Sequence, residues 1–144
     1  MNMPVIFGSD HAGFALKTSL KPIAQKLGFE PVDVGTDSLE STDYPLFAAS
    51  LCNLVLEKKC LGVLICGTGL GMSMAANRRP GIRAALCASE YMARLTRLHN
   101  NANVLCMGER WIGVGLAESI MEVFLKTPFE GGRHLRRVNL FDQA

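Results

Sequence analysis

No stretch of this sequence approaches the ~20 consecutive apolar residues that a membrane-spanning helix needs, and no charged leader with a hydrophobic run and cleavage site opens it. A soluble, cytoplasmic protein without membrane contact is therefore expected. No Cys-x-x-Cys pair accompanies histidine at metal-binding spacing, and the five cysteines, at 52, 60, 66, 87 and 106, are odd in number and lie mostly in apolar runs. Free thiols are expected, and a structural zinc site is not. The net charge is only +2, and basic clusters interleaved with aromatics are absent, which argues against nucleic acid as a partner. Internal repeats and low-complexity tracts are missing too. The expectation is one domain over 1–144, long enough to bury a core without staples.

What charge there is lies unevenly. Residues 1–60 carry five lysines against seven acids, whereas residues 61–144 carry one lysine and nine arginines against six acids. Every arginine is in that second part. The guanidinium fork suits phosphate or carboxylate, so the asymmetry suggests a small anionic ligand, with a solvated surface as the plain alternative. Hydrophobic residues make up 49% of the chain and the mean hydropathy is +0.19. That is more apolar than an average soluble protein and fits a homo-oligomer.

Short apolar runs alternate with helical periodicity. "PVIFGS", "FEPVDVG", "CLGVLIC", "IRAALCA" and "NVLCMG" read as strands. Between them, Leu16, Leu20, Ile23 and Leu27 recur at helical spacing, and Pro45 opens a helix facing inward through Phe47, Leu51 and Leu54. "MSMAANRR" reads as a short helix, and Ser89 caps one with Tyr91, Leu95 and Leu98 as its apolar stripe. Leu116, Ile120, Val123 and Phe124 line another. Unbroken apolar strands alternating with helices predict an α/β fold: a Rossmann-like three-layer sandwich, its five-stranded, mostly parallel sheet covered by helices on both faces. After the Gly131-Gly132 hinge, the tail from about 130 could reach another subunit.

In such sheets ligands bind beyond the carboxyl ends of the strands. "GSDHAG" places Asp10 and His11 there, and "ICGTGLGMS" places Cys66 and Thr68 there, with glycines at 67, 69 and 71 letting successive amides converge on an anion. The same loop can be read as a dinucleotide fingerprint, but its spacing is G-x-G-x-G, Met72 stands where the third fingerprint glycine belongs, and it follows the third strand. A tight structural turn is a further reading. Cys66 is either a small buried residue or a thiolate favoured by the adjacent helix start. His99 closes a helix, where an imidazolium would meet the C-terminal dipole, and Asp10 could be a cap. Arg133 and Arg137, four apart, could clamp a phosphate or form a solvated face.

Taken together, "GSDHAGFALK", "VGTDS" with "TDYP", "ICGTGLGMSMAANRRPGIRAAL", "RLHNNANVL" and "FEGGRHLRRV" resemble the ribose-5-phosphate isomerase B family over nearly the whole chain. The wider group includes allose-6-phosphate and galactose-6-phosphate isomerases. The resemblance implies an aldose–ketose isomerase without metal or cofactor, working through a cis-enediolate. It makes Cys66 the base, His99 the acid in ring opening, and Thr68 with the amides of Gly67, Gly69, Leu70 and Gly71 the anion hole. Asp10, His11, Asn100 and Arg110 would contact substrate, Arg133 and Arg137 its phosphate, and Tyr44 the pocket wall. One branch of the family has glycine in place of Cys66 and glutamate in place of Met72; this chain falls in the cysteine branch. Family sites lie between subunits, which implies a homodimer or dimer of dimers, with His99, Asn100 and Arg110 serving a different site from their own Cys66. A six-carbon sugar phosphate and a non-catalytic sugar-phosphate sensor are the alternatives.

Overall fold

In a computed structural model, which describes residues 2–143, five strands form one sheet: β1 (Met3–Ser9), β2 (Phe29–Asp33), β3 (Leu61–Cys66), β4 (Ala84–Leu86) and β5 (Val104–Gly108). Their order is β2-β1-β3-β5-β4, and all four pairings are parallel. The helices are α1 (Phe14–Lys26), α2 (Tyr44–Lys58), α3 (Leu70–Ala76), α4 (Glu90–Asn100), α5 (Val114–Lys126) and α6 (Arg133–Val138).

Alternation along the central strands divides the core in two. Val5, Phe7, Val63, Ile65, Leu105 and Met107 pack with α1, α4 and α5, while Ile6, Leu64, Cys66, Val104 and Cys106 pack with α2 and α3. With helices on both faces, every side chain of these strands except the terminal Ser9 is apolar, which explains the unbroken runs in the sequence. Ser89 does cap α4, its oxygen accepting from the Met92 amide at 3.2 Å.

The expected elements are present, with three corrections. The strand read in "IRAALCA" shrinks to three residues. The helix placed at "MSMAANRR" begins earlier, at Leu70, and ends at Ala76. Tyr91 and Leu116, assigned to apolar stripes facing the core, are exposed; Ala93 and Ala117 take the buried positions. The later residues of both stripes do face inward and only the first of each does not, because exposed apolar side chains can carry the same period as buried ones.

One buried charge ties the sheet's edge to α1. Lys17 is fully buried; its ammonium donates to Asp33 Oδ1 at 2.8 Å and to the Thr36 carbonyl. Lys21 holds Asp33 Oδ2 at 2.8 Å, and the Gly35 amide donates to Oδ1. Burial alone would raise the Asp33 pKa, but these donors, Lys17 foremost, outweigh it and hold the carboxyl below its ordinary value. A depressed folded-state pKa gives stability that is present above the unfolded value and lost as pH falls through the folded one. Asp33→Asn is therefore expected to cost about 2–3 kcal/mol at neutral pH, a buried-pair penalty reduced for the exposure of Asp33. In urea melts the gap from wild type narrows as pH falls below the ordinary aspartate value of 3.8. A gap unchanged down to strongly acidic pH would refute this role.

Candidate active site

The chain leaves β1 toward one sheet neighbour and β3 toward the other, so a crevice opens between their carboxyl ends. Cys66 ends β3 at 4% exposure, and its Sγ accepts the Gly69 amide at 3.1 Å. That amide was expected to face a ligand anion; here it meets the sulfur instead. Gly69 has φ +79°, and a methyl there would fall 2.5 Å from Leu86 and 2.9 Å from the Met107 backbone. Only glycine turns the chain this tightly against β5. The next amide, Leu70, donates to Thr68 Oγ1 at 3.3 Å.

The other cysteines sit in a different environment. Burial pushes the Cys52 thiol up to about 11 and the Cys87 thiol up to about 12, and it raises Cys60 and Cys106 as well. These four remain protonated at neutral pH, as packing residues do.

Asp10 and His11 stand at the end of β1. Asp10 Oδ1 accepts the amides of Ala12 and Gly13 at 3.0 and 3.1 Å, so it caps the short 3-10 turn before α1. His11 and Thr42 grip each other: the Thr42 amide donates to His11 Nδ1 at 3.1 Å and the His11 amide to Thr42 Oγ1 at 3.3 Å. This pair anchors the loop leading to Tyr44, whose ring lies on Gly71, where a methyl would come 2.7 Å from its Cζ. Nothing in the sequence singled out Thr42.

Arg110 departs from expectation. A methyl on Gly67 would fall 3.0 Å from Arg110 Nε, and the Arg110 amide donates to the Gly67 carbonyl at 3.0 Å. The guanidinium therefore lies over the glycine loop of its own chain, because β5 pairs beside β3 with Gly108 opposite Cys66. Its neighbour Glu109, also missed in the sequence, accepts the Leu16 amide at 2.6 Å and caps α1 across the crevice.

His99 and Asn100 are elsewhere. Helix α4 runs back from the carboxyl end of β4 to the amino end of β5, so both lie at the opposite edge of the sheet from Cys66. The length of β5 alone separates those edges by roughly 13 Å. His99 stacks on the buried His134 of α6, ring centroids 4.3 Å apart and 17° from parallel. Asn100 and Arg137 line a concavity of about 1040 Å³, together with the exposed Tyr91, Met92 and Phe141. Cys66 is not part of it. Arg133 and Arg137 are one helical turn apart and exposed, as their spacing predicts. One chain thus carries two separate clusters of the expected residues.

A profile of the ribose/galactose isomerase family matches residues 5–141. The chain belongs to the ribose/galactose isomerase family. Its relatives include ribose-5-phosphate isomerase B of Escherichia coli strain K12, 45% identical over 135 residues that span 93% of this chain and 91% of that one. A ribose 5-phosphate isomerase structure from Thermotoga maritima superposes with a TM-score of 0.96 at 49% identity, covering 100% of both chains. The type B enzyme of Trypanosoma brucei gives 0.96 at 42% identity, covering 99% of each. As a member of this family the chain is a sugar isomerase with an all-parallel α/β fold. Among the described residues, no helix is long and apolar enough to cross a membrane.

Proposed function

We propose that this chain interconverts ribose 5-phosphate and ribulose 5-phosphate through a cis-enediolate, in active sites built between two subunits. The observation that carries the chemistry is Cys66 at the sheet's switch point, its sulfur held by the Gly69 amide in a loop over which Arg110 lies. The thiolate takes the C2 proton of the open-chain aldose, and the electron pair moves through the new C1–C2 double bond onto the C1 oxygen. The thiol then returns its proton to C1 while the C2 oxygen becomes the carbonyl and its proton passes to the C1 oxygen. Nothing is oxidised or lost overall, so the reaction needs no redox partner.

Thr68 and the remaining amides of the loop stabilise the enediolate oxygen, and Asp10 and His11 orient the sugar. His99, Asn100, Arg133 and Arg137 come from the partner, as their place on the far edge of the sheet supports. His99 protonates the ring oxygen during ring opening, and the two arginines hold the phosphate. The concavity beside Asn100 and Arg137, rimmed by exposed apolar side chains, suits a second copy of this chain.

Purified protein mixed with ribose 5-phosphate should form ribulose 5-phosphate, with allose 6-phosphate turned over more slowly in a parallel assay. Binding without turnover of either sugar would establish a sensor instead. Preference for the six-carbon substrate would move the assignment to that branch of the family.

A further inference from the structure

We propose that His99, Glu130 and His134 bind a divalent transition metal, zinc by their donor set, and that filling this site switches the isomerase off. The inhibition rests on the ring-opening role of His99 given above; the metal site stands on geometry alone. One ligand atom from each residue lies within 4.8 Å of the other two. His134 is 5% exposed, and its Nε2 is buried without a hydrogen-bond partner; Glu130 Oε1 faces it at 3.5 Å. An unpartnered buried nitrogen is costly to leave in a protein interior. A cation between imidazole and carboxylate would satisfy it.

Two histidines and a glutamate form a three-ligand zinc set that leaves a fourth position for water or an anion. In a tetrahedral site with bonds of about 2.0–2.2 Å, donor atoms sit roughly 3.3–3.6 Å apart, so the three atoms are near the required spacing and the ring orientation is what has to change. The Glu130 amide donates to the Leu98 carbonyl and the His134 amide to the Gly131 carbonyl, each at 3.1 Å, which fixes the three backbones relative to one another. The Glu130 side chain is 53% exposed and able to swing.

Nearly parallel rings cannot aim two lone pairs at one point. Capture of a cation therefore turns His99 out of its stack and takes the imidazole away from the position from which it would reach the ring oxygen. The neighbouring Arg133 and Arg137 oppose a cation, and Glu130 supplies the only negative charge among the ligands. Such a site responds to metal without needing it to fold, and it leaves the isomerisation itself metal-free.

The test is a zinc titration of the full-length protein against a chromophoric chelator, repeated with cobalt(II) absorption, beside isomerase assays in the same buffers. One metal per chain is expected in wild type and in Cys66→Ala. Glu130→Gln should keep the metal-free activity but need about tenfold more zinc, or higher still, for binding and half-inhibition. No stoichiometric binding, or binding that survives Glu130→Gln and disappears in Cys66→Ala, would overturn the site. Stoichiometric binding with full activity would overturn the inhibition and with it the role of His99, while leaving the metal site in place.

Discussion

In Cys66→Ala, turnover of ribose 5-phosphate falls by about 10²–10⁴-fold, while the variant still binds the sugar phosphate. Removing the sulfur deletes the group that carries the proton between C1 and C2, and no other cysteine can substitute. Burial holds the thiols of Cys52, Cys60, Cys87 and Cys106 protonated at neutral pH. Met72, at the position that serves as base in the glutamate branch, is a thioether buried in the core and accepts no proton. The Gly69 amide donates to the Cys66 sulfur at 3.1 Å. In the alanine variant that amide loses its acceptor, a cost of about 1 kcal/mol that leaves the fold intact. A thermal melt close to wild type, read with the rate, separates lost chemistry from lost structure. Near-normal turnover would remove Cys66 from the mechanism.

The second large effect is a recovery. Cys66→Ala and His99→Asn are each expected to be inactive as homodimers, yet co-expressed and purified through two different tags they regain activity. If each site takes Cys66 from one subunit and His99 from the other, a mixed dimer has one site with both defects and one with neither. Each purified mixed dimer then has one working site of two and returns about half of the wild-type rate. The prediction follows from the direction of α4, which carries His99 to the edge opposite its own Cys66. Absence of any recovery in verified mixed dimers would mean that one subunit supplies both groups.

How much of this could be read from the chain depended on sequence distance. The glycine loop was legible because Cys66, Thr68 and the three glycines are contiguous, and β3 before it is an unbroken apolar run. Arg110 was not, since its place over Gly67 depends on β5 inserting between β3 and β4, an order that local pattern does not encode. Glu109 capping α1 spans 93 residues, and the grip between His11 and Thr42 spans 31. Hydrophobic period placed Ile120 and Phe124 in the core but also claimed Tyr91 and Leu116, which lie on the surface. Periodicity reports an apolar face; whether the same chain or another covers it is a tertiary matter.

Lys17 gives the fold a built-in chemical reporter. Amine reagents reach a lysine only from solvent, and the other five lysines are partly or fully exposed. Lys17 alone is sealed, its ammonium held between Asp33 and Thr36. Acylation at Lys17 therefore requires the seam between α1 and β2 to part, and its labelling rate measures how often this edge of the protein breathes, with the remaining lysines as the reference for free access.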